Sequence, residues 1–179
     1  MVSNKSLNIV VMRKTVHRIP IENYVREIED RLPGHSVKLA RTPDQERELI
    51  KTADVVTGKG ITEDIVRSAE RLQLFACTFA GVDHLPLDVL ADEDVSVTNA
   101  SGVHGPNIAE HVIGTILMFT RRFQQGFRKN QRREWCHYQA GELKGKTVTI
   151  VGPGAIGSAV ARRLGPFGVE RVGLRRTPK

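Results

Sequence analysis

The sequence predicts an α/β protein in which a parallel sheet with helices on both faces is followed by a short second β-α-β unit. Three observations carry this. Short apolar runs alternate with amphipathic stretches through the first hundred residues, the rhythm of parallel strands joined by crossover helices. A loop of small residues near position 100 then gives way to a long helical pattern. Beyond it, Gly152, Gly154 and Gly157 stand between an apolar run and another helical pattern.

Each element has its own signal. Residues 7–12 form an apolar run that fits a buried strand. Pro20 opens a helical pattern through Ile21, Tyr24, Val25, Ile28 and Leu32, which Pro33 and Gly34 end. Residues 36–40 read as a second strand. Thr42 before Pro43 marks a helix start, with proline just inside it. Residues 55–57, 74–79 and 95–98 read as further strands, and 62–69 as a third helix. The loop 100–106 ends at Asn107, a residue type that caps helices. A single helix is expected over about 108–133, apolar in its first half and basic in its second. A strand over 146–151, a glycine turn, a helix over 155–164 and a strand over 168–174 complete the chain.

Composition bounds the function. The 179 residues, 40% hydrophobic and 26% charged, suffice for one ordinary domain or two small ones and exclude a disordered or fibrous chain. No apolar run approaches the roughly 18–20 residues of a membrane span, and the start carries no secretory pattern. Cys77 and Cys136 are far apart, so neither a disulfide framework nor a zinc ribbon is expected; no metal site is predicted, and a cytoplasmic setting is.

Charge is divided unevenly. Residues 1–110 hold 13 basic and 17 acidic side chains, a balance of −4, whereas residues 111–179 hold 14 and 3, a balance of +11. A basic half attracts phosphates. The stretch 121–133, interleaved with Phe123, Phe127 and followed by Trp135, admits a nucleic-acid reading. Its spacing is helical, and a solvated helix face is the preferred reading, so a nucleic-acid partner is not expected.

Chemistry concentrates in the glycines at 152, 154 and 157. The G-x-G-x-x-G pattern gains meaning from its place between a strand and a helix in a β-α-β unit. The first glycine makes the tight turn, the second lets a pyrophosphate approach the backbone, and the third lets helix and strand pack closely. The first helical N–H groups, at Ala155 and Ile156, then face the phosphates. About 20 residues on, an NAD site carries an acid for the ribose 2′-hydroxyl. Here Arg175 and Arg176 stand at that place. A guanidinium accepts no hydrogen bond but pairs with a 2′-phosphate, so NADP is favoured and NAD remains possible. A solvated strand end is the other reading of these arginines. Residues 141–147 resemble a Walker A loop but are one residue short and precede the strand, so that reading is rejected.

Three segments now align with a known family: residues 79–84 (Phe-Ala-Gly-Val-Asp-His), residues 105–111 (Gly-Pro-Asn-Ile-Ala-Glu-His), and Trp135 followed by residues 142–157 with the glycine loop. Together they resemble the D-isomer-specific 2-hydroxyacid dehydrogenases over nearly the whole chain. The resemblance implies a flavodoxin-like parallel-sheet substrate domain (1–103), a long interdomain helix and linker (104–143), and the first β-α-β unit of a Rossmann dinucleotide-binding domain (144–179), truncated. It implies reversible hydride transfer between a nicotinamide cofactor and a small 2-oxo or D-2-hydroxy acid. Ala80 and Gly81 match the turn whose N–H groups hold the substrate carboxylate. Asp83 matches a structural aspartate, expected to cap the next short helix. His104 falls where family members place a substrate-contacting side chain, and a surface histidine is the equal alternative. Ile108, beside Asn107, falls near the nicotinamide. Glu110 and His111 match a helix-start signature and read as helix and interface residues, not as acid and base.

The resemblance places the catalytic Arg, Glu and His beyond residue 179, so no residue here takes those roles. It also implies a homodimer through the interdomain helix region. A non-catalytic fragment that binds nucleotide or dimerises is the alternative. In either case residues 145–179 are expected to be weakly stabilised, or to pack against another element.

Overall fold

The computed structural model describes residues 6–14 and 19–177. It divides into two compact units, Met1–Ser101 and Gly102–Lys179.

In the first unit five strands form one sheet: β1 (Asn8–Val11), β2 (Ser36–Leu39), β3 (Val55–Gly58), β4 (Leu74–Cys77) and β5 (Ser96–Thr98). All neighbours pair in parallel, in the order β2-β1-β3-β4-β5. This is the doubly wound flavodoxin-like order, in which the chain reverses direction across the sheet between β1 and β3. The crossovers are α1 (Ile21–Arg31), α2 (Pro43–Ile50), α3 (Glu63–Arg67) and α4 (Leu87–Asp92). Strands covered on both faces read as near-continuous apolar runs, and Val10, Val11, Val56 and Phe75 are fully buried accordingly. They join Ile50, Val66 and Leu90 from the helices in the core, each side chain contributing roughly 1.5–3 kcal/mol of burial.

Local signals act where they are strongest. Thr42 caps α2 as its composition predicts, its Oγ1 accepting from the Gln45 N–H at 3.2 Å with Pro43 in the first turn. Asp83 does not cap α4. That helix starts after Pro86 with no side-chain cap, because the chain makes a further turn, with the Leu85 N–H on the Val82 carbonyl, before it begins.

The unit also contains a buried carboxylate that its sequence does not announce. Asp54 is 1% exposed. Its Oδ2 accepts the Asn8 N–H at 2.8 Å and its Oδ1 the Arg71 Nη2 at 2.7 Å. It ties the entrance of β1 to that of β3.

The second unit contains α5 (Gly105–Thr120), α6 (Phe123–Gln131), β6 (Thr147–Val151), α7 (Ala155–Leu164), a 3₁₀ turn (Gly165–Phe167) and β7 (Glu170–Leu174). The single helix expected over 108–133 is therefore two. The Arg121 N–H bonds the Leu117 carbonyl and the Arg122 N–H the Phe119 carbonyl. Arg122 then takes a left-handed conformation, φ 52°, which ends α5 before α6 restarts. The start of α5 also lies earlier than predicted. Pro106 sits in its first turn, where its missing N–H costs nothing. Asn107 is inside that turn, its Oδ1 accepting from the adjacent Ile108 N–H.

The β6-α7-β7 unit does find a partner. Its helix packs on α5, and Ala109, Ile113, Leu143, Ala159, Val160, Leu164 and Val169 form a second small core. Strands β6 and β7 pair in parallel from Thr147–Glu170 to Val151–Leu174. Val151, Val172 and Leu174 remain exposed.

Candidate active site

The glycine turn is built by backbone geometry. Gly152 adopts φ +83°, a left-handed conformation that glycine reaches without steric cost. Its N–H donates to the Leu174 carbonyl at 2.9 Å, so the turn leaves the sheet beside the end of β7. Gly154 is the residue before α7, and a Cβ there would meet nothing within 4 Å. Gly157 is the reverse case. A Cβ on it would overlap the Gly152 carbonyl oxygen and lie 3.0 Å from Ile150 Cγ2. The three positions thus divide the work as the sequence pattern predicts: turn, open approach, close packing.

Helix geometry supplies the donors. The first bond from inside α7 runs from the Ser158 N–H to the Gly154 carbonyl at 2.8 Å. The N–H groups of Ala155, Ile156 and Gly157 therefore have no acceptor within the helix. They stand at its positive dipole end, above the open side of Gly154. Ser158 Oγ donates to the Pro153 carbonyl at 3.0 Å and steadies the turn. The open side of Gly154 over a helix N-terminus fits a pyrophosphate.

The remaining cofactor candidates lie in the same unit. Arg175 and Arg176 follow β7 directly and are exposed. The Gly152–Leu174 bond brings the start of that segment to the loop. Ile108 lies in the first turn of α5, its N–H bonded to the His104 carbonyl. Gly105, in the same first turn, brings the start of α5 to that of α7: a Cβ on it would lie 3.4 Å from Ala159 Cβ and 3.6 Å from the Ala155 oxygen. The two helix starts therefore meet, with Ile108 and Ile156 in their first turns.

In the first unit, Ala80 and Gly81 occupy the loop after β4, at the C-terminal edge of the parallel sheet, where such sheets bind ligands. Asn99 holds the loop from β5. Its Nδ2 donates to the Ala80 carbonyl at 2.8 Å, its Oδ1 accepts from the Ser101 N–H, and the Ala100 N–H reaches the Phe79 carbonyl. The N–H groups of Ala80 and Gly81 donate to no acceptor among the described residues. Two successive free N–H groups on a pinned turn suit a carboxylate. Thr78 Oγ1, just before this loop, is buried and has no partner among the described residues.

His104 does not share a unit with Ala80 and Gly81. It belongs to the second unit, exposed, directly before α5. Glu110 and His111 lie exposed on α5. Among the described residues, no group of three or more His, Cys, Asp or Glu is placed to hold a metal ion. None of the described helices is long and apolar enough to cross a membrane.

The family described as "D-isomer specific 2-hydroxyacid dehydrogenase, NAD binding domain" matches residues 113–179. A D-3-phosphoglycerate dehydrogenase of Methanocaldococcus jannaschii is 28% identical over 159 residues, which are 86% of this chain and 30% of that protein. These findings support the D-isomer-specific 2-hydroxyacid dehydrogenase family, whose NAD-binding domain residues 113–179 match. A second family relative, a glyoxylate/hydroxypyruvate reductase of Arabidopsis thaliana, is 32% identical over 121 residues, 65% of this chain and 38% of that one. Among solved structures, a D-lactate dehydrogenase of Treponema pallidum shares the fold with TM-score 0.80 at 22% identity, covering 97% of this chain and 54% of that chain. A protein of Pyrococcus horikoshii gives TM-score 0.68 at 26% identity, with 98% and 54% covered. The chain spans about half the length of these structures and 25% to 45% of the curated family relatives it matches.

Sequence reasoning missed one group near the Ala80–Gly81 turn. His84 Nε2 lies 2.6 Å from the Lys59 carbonyl, joining the loops after β3 and β4. His84 was read only as part of a family motif. The Lys59-Gly60 pair between a strand and a helix was the available signal for a second loop at the same sheet edge.

Proposed function

We propose that this chain carries the substrate-carboxylate turn and the nucleotide cradle of an NAD(P)-dependent oxidoreductase that interconverts a 2-oxo acid and a D-2-hydroxy acid. The observation that carries this reading is the open cradle at Gly154 beneath the unbonded N–H groups of α7. The names of several similar proteins support this reading: they act on 3-phosphoglycerate, glyoxylate, hydroxypyruvate and lactate. Residues 1–103 form the substrate domain in this reading, 104–143 the interdomain helices and linker, and 144–179 the cofactor unit.

Each residue has a task. Gly152, Gly154, Ala155, Ile156 and Gly157 hold the pyrophosphate through backbone N–H groups and the helix dipole. Ile108 covers the nicotinamide end. Arg175 and Arg176 pair with a 2′-phosphate, which favours NADP over NAD. Ala80 and Gly81 orient the substrate by its carboxylate, and His104 contacts it. When bound, the nicotinamide supplies or accepts the hydride. The α5–α6 region joins two copies in a homodimer.

Deuteride transfer tests this directly. The purified chain is incubated with NADPH deuterated at the transferable position and a 2-oxo acid such as glyoxylate or hydroxypyruvate. Deuterium at C2 of a D-2-hydroxy product supports the full reading. Binding of both ligands without transfer assigns a binding role alone. Binding of neither contradicts the proposal.

A further inference from the structure

The basic stretch 121–133 contributes no residue to the glycine loop or to the Ala80–Gly81 turn. In the second unit it folds into the break after α5 and the helix α6. A cavity of about 520 Å³ opens there. Met118 and Phe119, near the end of α5, form its apolar side, and Arg122, Arg128, Lys129 and Arg132 line the rest with the amides of Gln124 and Gln125.

The helix break builds this cavity. Arg122 takes the left-handed conformation, φ 52°, which residues other than glycine seldom adopt. The chain turns there and α6 restarts. Positions 124, 125, 128, 129 and 132 recur at intervals of three and four along α6, so they share one face. That face and the last turn of α5 enclose the cavity.

Its charge is out of balance. The lining holds four cations and no carboxylate. Lys129 Nζ is taken by Glu134 Oε2 at 2.6 Å, which leaves three guanidiniums. The side chains of Arg122, Arg128 and Arg132 make no hydrogen bond or ion pair among the described residues. Arg128 and Arg132 stand four apart on the helix, a like-charge spacing that destabilises it unless an anion intervenes. Acids to supply one are scarce: residues 111–179 contain Glu134, Glu142 and Glu170 alone, and Glu170 accepts from Thr147 Oγ1 at 2.7 Å.

Guanidinium forks pair bidentately with phosphate oxygens. Three of them around one cavity match several linked anionic groups rather than a single carboxylate. They converge instead of following an extended surface, which favours a small anion over a nucleic acid, whose phosphates are spread along a strand. Arg121 and Arg133 lie outside the lining, and Arg121 donates to the Gly141 carbonyl at 3.1 Å.

We propose that this cavity binds a small polyphosphate, a chain of linked phosphates that is either free or carried by a nucleoside. Arg122, Arg128 and Arg132 hold the phosphates. Phe119, beside Met118, is the surface on which a base would rest. The site uses no residue of the nucleotide cradle and stands without the dehydrogenase reading. In the homodimer of that reading, an isologous contact through α5–α6 would set two such clusters face to face, and the same anion would offset their repulsion.

Amide chemical-shift mapping of the ¹⁵N-labelled chain at fixed ionic strength tests this. The probes are orthophosphate, tripolyphosphate, ATP and a short single-stranded oligonucleotide. Tripolyphosphate is expected to shift residues 118–132 and to bind about tenfold tighter than orthophosphate, the gain of one charge-assisted contact. ATP bound more tightly than tripolyphosphate identifies a nucleoside polyphosphate, and equal or weaker binding identifies the inorganic chain. Arg128→Gln and Arg132→Gln should each weaken tripolyphosphate about tenfold. Arg162→Gln, which removes the same charge from an exposed position on α7, should leave the affinity unchanged. An absence of shifts at 118–132, with or without shifts at 152–158, overturns the proposal. So does equal affinity for orthophosphate and tripolyphosphate, an equal loss in Arg162→Gln, or an oligonucleotide bound more tightly than both polyphosphates.

Discussion

Gly157 lies against the carbonyl oxygen of Gly152, with no space for a side-chain carbon between them. That contact sets how closely α7 can approach the end of β6, and so where its free N–H groups point. Gly157→Ala is expected to force the helix start outward. The cost is about 1–3 kcal/mol, as for other overpacked sites. Thermal melting should show it in the second unit, and nucleotide affinity should fall at least tenfold in the same variant. An unchanged affinity would mean that the turn does not position the phosphate donors.

In the proposed reading, the side chains after β7 decide between the two nicotinamide cofactors. Arg175→Asp replaces a donor for a 2′-phosphate with an acceptor for a 2′-hydroxyl. A hydrogen bond to a charged group is worth about 1.5–3 kcal/mol, so the ratio of NADPH to NADH affinity should fall by tenfold or more. Equilibrium titration with both nucleotides measures it. A ratio that stays constant would assign these arginines to the solvent.

Asn99, just after β5, donates its Nδ2 to the Ala80 carbonyl of the turn, while its Oδ1 accepts the Ser101 N–H. Asn99→Ala should leave the core intact and loosen the turn. The expected result is a several-fold loss of pyruvate-induced shifts at 80–82, with a stability loss of about 1 kcal/mol, the net value of an ordinary hydrogen bond. Denaturant unfolding and shift mapping separate the two effects.

Asp54 joins the entrances of two central strands through the Asn8 N–H and Arg71. Asp54→Ala removes the acceptor for a strand N–H and for a half-exposed guanidinium. The first unit should lose about 2 kcal/mol, within the range for leaving buried polar groups unmet. Urea unfolding of the variant checks this.

What could be read from sequence was local. Continuous apolar runs marked β1, β3 and β4 because strands covered on both faces tolerate little polarity. Thr42 before Pro43 marked a helix start because both residues act on their own turn. The glycine loop was legible because its three constraints fall within six residues. Features that depend on distant pairing were not. Asp54 is buried only because Asn8 and Arg71, 46 and 17 positions away, meet it. Lys14 and Lys59 become neighbours through backbone pairing, which neither segment encodes by itself. The break at Arg122 was hidden because the helical spacing of apolar residues continues on both sides of it. The place of Arg175 beside the glycine loop was legible as a spacing, but the bond that brings it there, from Gly152 to Leu174, was not.

Fluorescence titration of the purified chain with NADPH and NADH tests the central claim most directly. A nucleotide cradle completed by Arg175 and Arg176 predicts saturable binding of NADPH, at least tenfold tighter than NADH, and its loss in Gly157→Ala. Binding of neither nucleotide, or NADH bound as tightly as NADPH, would contradict it.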